Sequence, residues 1–143
     1  MAGAARLTIL ADTGALYALI DRSDAWHARV KTFWARTTEE IVVPAVVLPE
    51  ITYLLQRRIG AHAELAFTRA VADGDFTLEL PTNEDVARAP DLMAIYADVP
   101  IGFVDAALTA AAERLSVLGV LTTDRRHFSI IRPRHVSGFR LVP

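Results

Sequence analysis

The chain is predicted to fold as an α/β domain with a mainly parallel central sheet flanked by helices. Three observations predict it. Short apolar or β-branched runs alternate with longer segments of helical periodicity from end to end. The strand-like runs carry few polar residues, as in Ile9-Leu10-Ala11 and Val117-Leu118-Gly119-Val120-Leu121, which reads as strands buried inside the molecule. The length, 143 residues, suits one domain spanning 1–143, enough to bury a sizeable core.

The elements follow in order. Residues 7–11 form a short buried strand, and Thr13–Ile20 a helix entered directly from it. Ser23 or Asp24 is placed to cap a helix over 25–36, with Trp26, Val30, Phe33 and Trp34 on its inner face. Residues 41–43 are a second, β-branched strand. A helix is expected from about residue 45 to 58, ending at Gly60, with Pro49 in its first turn because proline has no amide proton to donate. Ala61–Ala72 is a further helix, closed by Asp73-Gly74. Residues 76–80 form a third strand, and Thr82-Asn83-Glu84-Asp85 resembles a capping box. The helix it opens is expected to break at Pro90 and resume over 91–96. After Pro100-Ile101-Gly102, the segment Phe103–Leu115 is a strong helix with Val104, Leu108, Ala111 and Leu115 on one face. A buried strand over 117–122, a short helical turn over 125–128 and an edge strand over 139–142 complete the chain.

Composition excludes several classes. There is no cysteine, so disulfides and thiolate metal sites are absent. No apolar run approaches the roughly 18 residues of a membrane span. Asp12 interrupts 7–20, and 41–48 is short and contains Pro44. Arg6 before a short apolar stretch makes a poor secretion signal. A soluble, cytoplasmic protein is expected. The apolar fraction of 52% and mean hydropathy of +0.30 leave apolar surface for a partner or a homodimer. The net charge of −2 is uneven: 114–143 holds Arg114, Arg125, Arg126, Arg132, Arg134 and Arg140 against Asp124, a net +5, leaving −7 elsewhere. Such a basic end is a seat for phosphates or a set of solvated surface charges.

Four carboxylates carry the functional argument. Asp12 falls right after the first strand and Asp124 right after the strand over 117–122, at the carboxyl ends where ligands bind in this architecture. Asp105 lies in the first turn of Phe103–Leu115, and Glu50 early in the helix after Pro44. Singly, each is a cap or a solvated helix residue. Together, acids beside strongly apolar flanks raise one another's pKa unless a cation compensates them. All-oxygen ligation points to Mg²⁺, with Mn²⁺ as the alternative, rather than to zinc.

Four segments resemble those of PIN-domain nucleases, especially VapC-type toxins. They are Leu10-Ala11-Asp12-Thr13-Gly14-Ala15-Leu16, Val46-Val47-Leu48-Pro49-Glu50-Ile51, Gly102-Phe103-Val104-Asp105-Ala106-Ala107-Leu108, and Leu121-Thr122-Thr123-Asp124-Arg125-Arg126-His127-Phe128. The resemblance covers nearly the whole chain and implies a three-layer PIN-like fold. It implies an acidic metal site of Asp12, Glu50, Asp105 and Asp124, supported by the hydroxyls of Thr13 and Thr122. Pro49 and Gly14 stand where a small helix-former and a serine are usual. The implied activity is Mg²⁺-dependent endoribonuclease cleavage leaving 5′-phosphate and 3′-hydroxyl ends, by the toxin of a VapBC-type pair. Asp12, Asp105 and Asp124 would bind the ion, and Glu50 a second ion or its water. Arg125, Arg126, Arg132 and Arg134 are candidates to hold flanking RNA phosphates. The implied partner is a cognate VapB-type antitoxin lying across the acidic groove.

Other readings fit less well. A dehalogenase-like phosphatase needs an aspartate at position 14, which is glycine; a receiver domain needs a late lysine, and Lys31 is the only lysine. No glycine-rich nucleotide loop is present. His27, His62, His127 and His135 raise a metal-free ribonuclease using general acid–base catalysis, but none sits in a recognisable pair. The remaining alternatives are a housekeeping nuclease of RNA processing and a non-catalytic PIN-like module that binds RNA or protein.

Overall fold

A computed structural model describes residues 7–143; the secretion-signal reading at Arg6 and the first six residues of the expected domain lie outside the described residues. Five strands form one sheet: β1 (Thr8–Ala11), β2 (Glu40–Pro44), β3 (Thr77–Glu79), β4 (Gly119–Leu121) and β5 (Arg140–Val142). Their spatial order is β3-β2-β1-β4-β5, and every neighbouring pair is parallel, the edge strand β5 included.

Consecutive strand residues feed opposite cores, because side chains alternate across a sheet. Ile9, Ala11, Val43 and Leu121 enter one core with α1 (Thr13–Ile20), α2 (His27–Arg36), α3 (Leu48–Arg58) and α4 (Ala61–Ala72). Leu10, Val42 and Val120 enter the other with α5 (Asn83–Ile95), α6 (Phe103–Leu115) and α7 (Arg125–Ile130). The result is three layers with the sheet in the middle. Each fully buried Leu, Ile or Phe contributes about 1.5–3 kcal/mol. Ile9, Leu10, Leu16, Ile51, Leu55, Leu108, Leu121 and Phe128 are all at most 1% exposed.

Strand order determines where a site can form. The chain runs outward from β1 to β2 and β3, then returns past β1 to β4 and β5. The carboxyl ends of β1 and β4 therefore flank the point where the order reverses, and a crevice opens there.

Three local expectations change. Residues 45–47 are a single 3₁₀ turn, and α3 starts at Leu48. Pro49 cannot donate to the carbonyl of Ala45, so Leu48 N–H bonds it instead in the tighter turn. Pro90 does not interrupt its helix: α5 runs unbroken over Asn83–Ile95. The carbonyl Pro90 leaves unpaired belongs to Val86, and both residues are exposed, so water satisfies it. Helix α2 begins two residues later than expected, and neither Ser23 nor Asp24 is its N-cap. Asp24 Oδ1 instead accepts the Trp26 amide (2.8 Å) one turn earlier. The capping box before α5 is present, with Thr82 and Asp85 exchanging side chain-to-amide bonds of 3.1 Å. Gly60, at φ 148°, takes the chain from α3 into α4 through a conformation side chains disfavour. Among the described residues no helix is long and apolar enough to cross a membrane.

Candidate active site

Asp12 leaves β1 and caps α1 in one step. Its amide donates to Leu121 O (3.0 Å), extending the β1–β4 ladder, and its Oδ1 accepts the Ala15 amide (2.9 Å) as an N-cap. Its Oδ2 accepts the hydroxyl proton of Thr122, which is fully buried. The Thr122 hydroxyl also accepts the Asp124 amide (2.9 Å). One side chain at the end of β4 thus ties the first aspartate to the backbone of the last.

Three acids from three elements share this crevice. Asp124 is the N-cap of α7, its Oδ1 accepting the Arg126 amide (3.2 Å). Asp105 sits in the first turn of α6, where the helix dipole favours a negative charge. Asp12 is only 7% exposed, and its pKa is pushed up to about 7. Burial is the main cause, the hydrogen bonds from Thr122 and Ala15 oppose it, and the charges of Asp105 and Asp124 add to it. Asp105 is raised as well, chiefly by burial and further by Asp124, against the opposing effect of His127. Glu50 lies in the exposed first turn of α3 and accepts the Thr13 hydroxyl (2.7 Å), which joins it to the residue after Asp12.

The donor set fits a hard divalent cation. It is all oxygen, it lies at the switch point, and its most buried member is held in a field that disfavours ionisation until a positive charge arrives. As the side chains stand, no three acidic or imidazole groups among the described residues are placed to hold an ion simultaneously.

Two contributors were given another role or none: the sequence offers His127 only as a metal-free acid–base candidate and Thr123 not at all. His127 Nδ1 lies 3.1 Å from Asp105 Oδ2 and 3.5 Å from Asp124 Oδ2. Its spacing of three from Asp124 on a helical turn was the available signal. The second is Thr123. A Cβ on Gly14 would fall 2.4 Å from Thr123 Oγ1, so the glycine leaves the space this hydroxyl fills. Gly14→Ala is expected to cost about 1 kcal/mol and to lower activity, and Thr123→Ala in the same chain to recover most of both. Equal losses in the single and double variants, by chemical denaturation, would refute this interlock.

The arginines are dispersed. Arg126 is exposed beside Asp124 at the start of α7. Arg125 bonds the Pro143 carbonyl, and its guanidinium lies 5.4 Å from the Trp26 ring. Arg132 bonds the Ser129 carbonyl (2.8 Å). Arg134 donates its amide to Glu113 (2.7 Å), eight residues and so about 12 Å along α6 from Asp105. The structure brings neither Arg132 nor Arg134 together with the carboxylates. Of the other histidines, His27 and His135 bond the carbonyls of Ala18 and Val117.

A doubly wound parallel domain with carboxylates gathered at its switch point is an architecture suited to binding a divalent cation. The PIN domain model matches residues 9–132. The chain is 35% identical over 135 residues to ribonuclease VapC26 of Mycobacterium tuberculosis, covering 94% of this chain and all of that protein. The chain belongs to the PIN domain family. Its fold is shared by VapC20 of M. tuberculosis, a sarcin-ricin loop cleaving toxin, with a TM-score of 0.77, 24% identity, and 82% of this chain and 91% of that chain covered. It is also shared by the DNA-bound VapBC of Salmonella typhimurium, with a TM-score of 0.68, 18% identity, and coverage of 94% and 96%.

Proposed function

We propose that the chain is a divalent-cation-dependent endoribonuclease acting as the toxin of a VapBC-type pair in the cytoplasm, with residues 1–143 as one PIN domain. The observation that carries this is the burial of Asp12 between Thr122 and two further aspartates at the switch point. The likeness to ribonuclease VapC26 and to VapBC complexes supports the activity and the partner, a VapB-type antitoxin.

Asp12, Asp105 and Asp124 would hold a Mg²⁺ or Mn²⁺ ion, with Glu50 beside them. When bound, such an ion acidifies a water and stabilises charge on the scissile phosphate. Thr122 keeps the Asp12 carboxylate facing the crevice, and Thr13 does the same for Glu50. Glu50, exposed and accepting one bond among the described residues, is free to receive a proton from the attacking water or to hold a second ion. Arg126 is the arginine best placed to hold a flanking phosphate of the RNA. A homodimer is proposed from the apolar fraction of 52%.

The test uses purified chain, freed of any partner, incubated with cellular RNA. Cleavage is expected with Mg²⁺, is lost in EDTA, and returns when Mg²⁺ or Mn²⁺ is restored. Cleavage that continues at full rate in EDTA would replace this reading with a metal-free one. Suppression of cleavage by the product of an adjacent small gene separates a toxin from a housekeeping nuclease.

A further inference from the structure

His127 joins two of the proposed ligands that come from different helices. Its Nδ1 is 3.1 Å from Asp105 Oδ2 on α6 and 3.5 Å from Asp124 Oδ2 at the cap of its own helix, α7. Carboxylates only accept, so the contact assigns the Nδ1 proton to the side facing them. Phe128 and Ile131, at most 1% exposed, anchor α7 to the core and so fix the backbone that carries His127. The ring itself is 27% exposed, so it meets the crevice from its rim. Asp105 has no other side-chain hydrogen bond among the described residues. The Gly102 backbone is the carboxylate's remaining hydrogen-bond partner, so His127 is the one side chain among the described residues that selects its rotamer.

We propose that His127 is a positioning residue of the metal centre, its Nδ1–H holding the Asp105 carboxylate in the orientation that takes the cation. The proposal rests on the metal-dependent reading above. Partners of metal ligands typically set affinity by about 10–100-fold, because they fix the ligand's orientation before the ion arrives.

The experiment titrates the purified chain with Mn²⁺ alone and reads free Mn²⁺ by electron paramagnetic resonance, without RNA. His127→Ala is expected to weaken binding by about 10–100-fold. His127→Asn keeps an N–H one bond beyond Cγ, where Nδ1 stands, and is expected to retain most of the affinity. His127→Gln places its amide one bond further out and is expected to bind as weakly as the alanine variant. Thermal midpoints taken alongside show that the variants are folded. If His127→Ala does not fold, the difference between asparagine and glutamine still decides. Equal Mn²⁺ affinity in wild type and His127→Ala, or an asparagine variant as weak as the alanine one, overturns the role of His127 and leaves the metal site standing. A wild type that binds no Mn²⁺ overturns both.

Discussion

Asp12→Asn is expected to stop RNA cleavage while making the metal-free protein more stable, by roughly 1–4 kcal/mol at pH 8. The two effects have one cause. In the folded chain Asp12 titrates at about 7, against an ordinary value of 3.8, so between about pH 4 and 7 the folded state keeps a proton the unfolded state has released. The stability from that proton is fully present below pH 4 and is lost as pH rises through 7. Asparagine carries no charge and escapes the loss. It also fits: its oxygen can accept the Ala15 amide, and its NH₂ can donate to Thr122. The Thr122 hydroxyl then turns its own proton to the Asp124 carbonyl, 3.2 Å away.

A divalent cation contributes several kcal/mol to phosphoryl transition states, so losing its principal ligand lowers the rate by at least about a hundredfold. Mg²⁺ should raise the melting midpoint of the wild type at pH 8 and leave the variant unmoved. Denaturant unfolding in EDTA at pH 5 and pH 8 measures the first effect. An Asp12→Asn protein less stable than wild type at pH 8 would mean that the buried carboxylate is not strained by its surroundings.

Sequence and structure agree most closely where one residue serves two local purposes. Leu10-Ala11-Asp12-Thr13 reads as a buried strand ending in a cap, and the structure has Asp12 leave the sheet and cap α1 without a linking residue. The same reasoning placed Asp124 and Asp105 at element starts, because caps and first turns leave a local signature. Helix α5 was misread at Pro90, since the cost of a missing hydrogen bond depends on whether the freed carbonyl meets water, and a linear pattern does not show that. The basic end, open between a phosphate seat and solvated charges in the sequence, is partly neutralised in the fold. Arg114 faces Asp85 and Glu79, Arg140 faces Glu39, and Arg134 lies beside Glu113, while Arg125, Arg126 and Arg132 form no ion pair among the described residues. The Thr123–Gly14 interlock and the reach of His127 to Asp105 join segments far apart in the chain, and spacing shows only that His127 lies one helical turn from Asp124.

Asp85→Ala should destabilise the fold by about 2–4 kcal/mol and leave metal-dependent cleavage intact. Asp85 is 2% exposed and holds α5 to α6 from the layer opposite α1. It receives Arg114 Nε (3.1 Å) and Nη2 (3.0 Å) and closes the capping box on the Thr82 amide (3.1 Å). A lost cap costs about 0.5–2 kcal/mol, and charge-assisted hydrogen bonds about 1.5–3. Arg114 is 29% exposed and keeps Glu79 at 2.8 Å, which holds the total below that of a fully buried pair. Arg114 also lies nine residues along α6 from Asp105, about 13 Å, so the crevice is not disturbed. The pH dependence has the opposite sign to that of Asp12. Burial alone would raise the Asp85 carboxyl, but Arg114 and the Thr82 amide outweigh it and hold it below its ordinary value; Glu113 is lowered in the same way by Arg88 and the Arg134 amide. Their stabilisation is present above about pH 4 and is lost as pH falls through the depressed values. The metal-free protein is therefore squeezed from both sides, by this network in acid and by Asp12 as pH approaches 7. In Asp85→Ala the acid limb flattens and the Asp12 limb stays; an unchanged acid limb would place the acid-sensitive interactions elsewhere in the molecule.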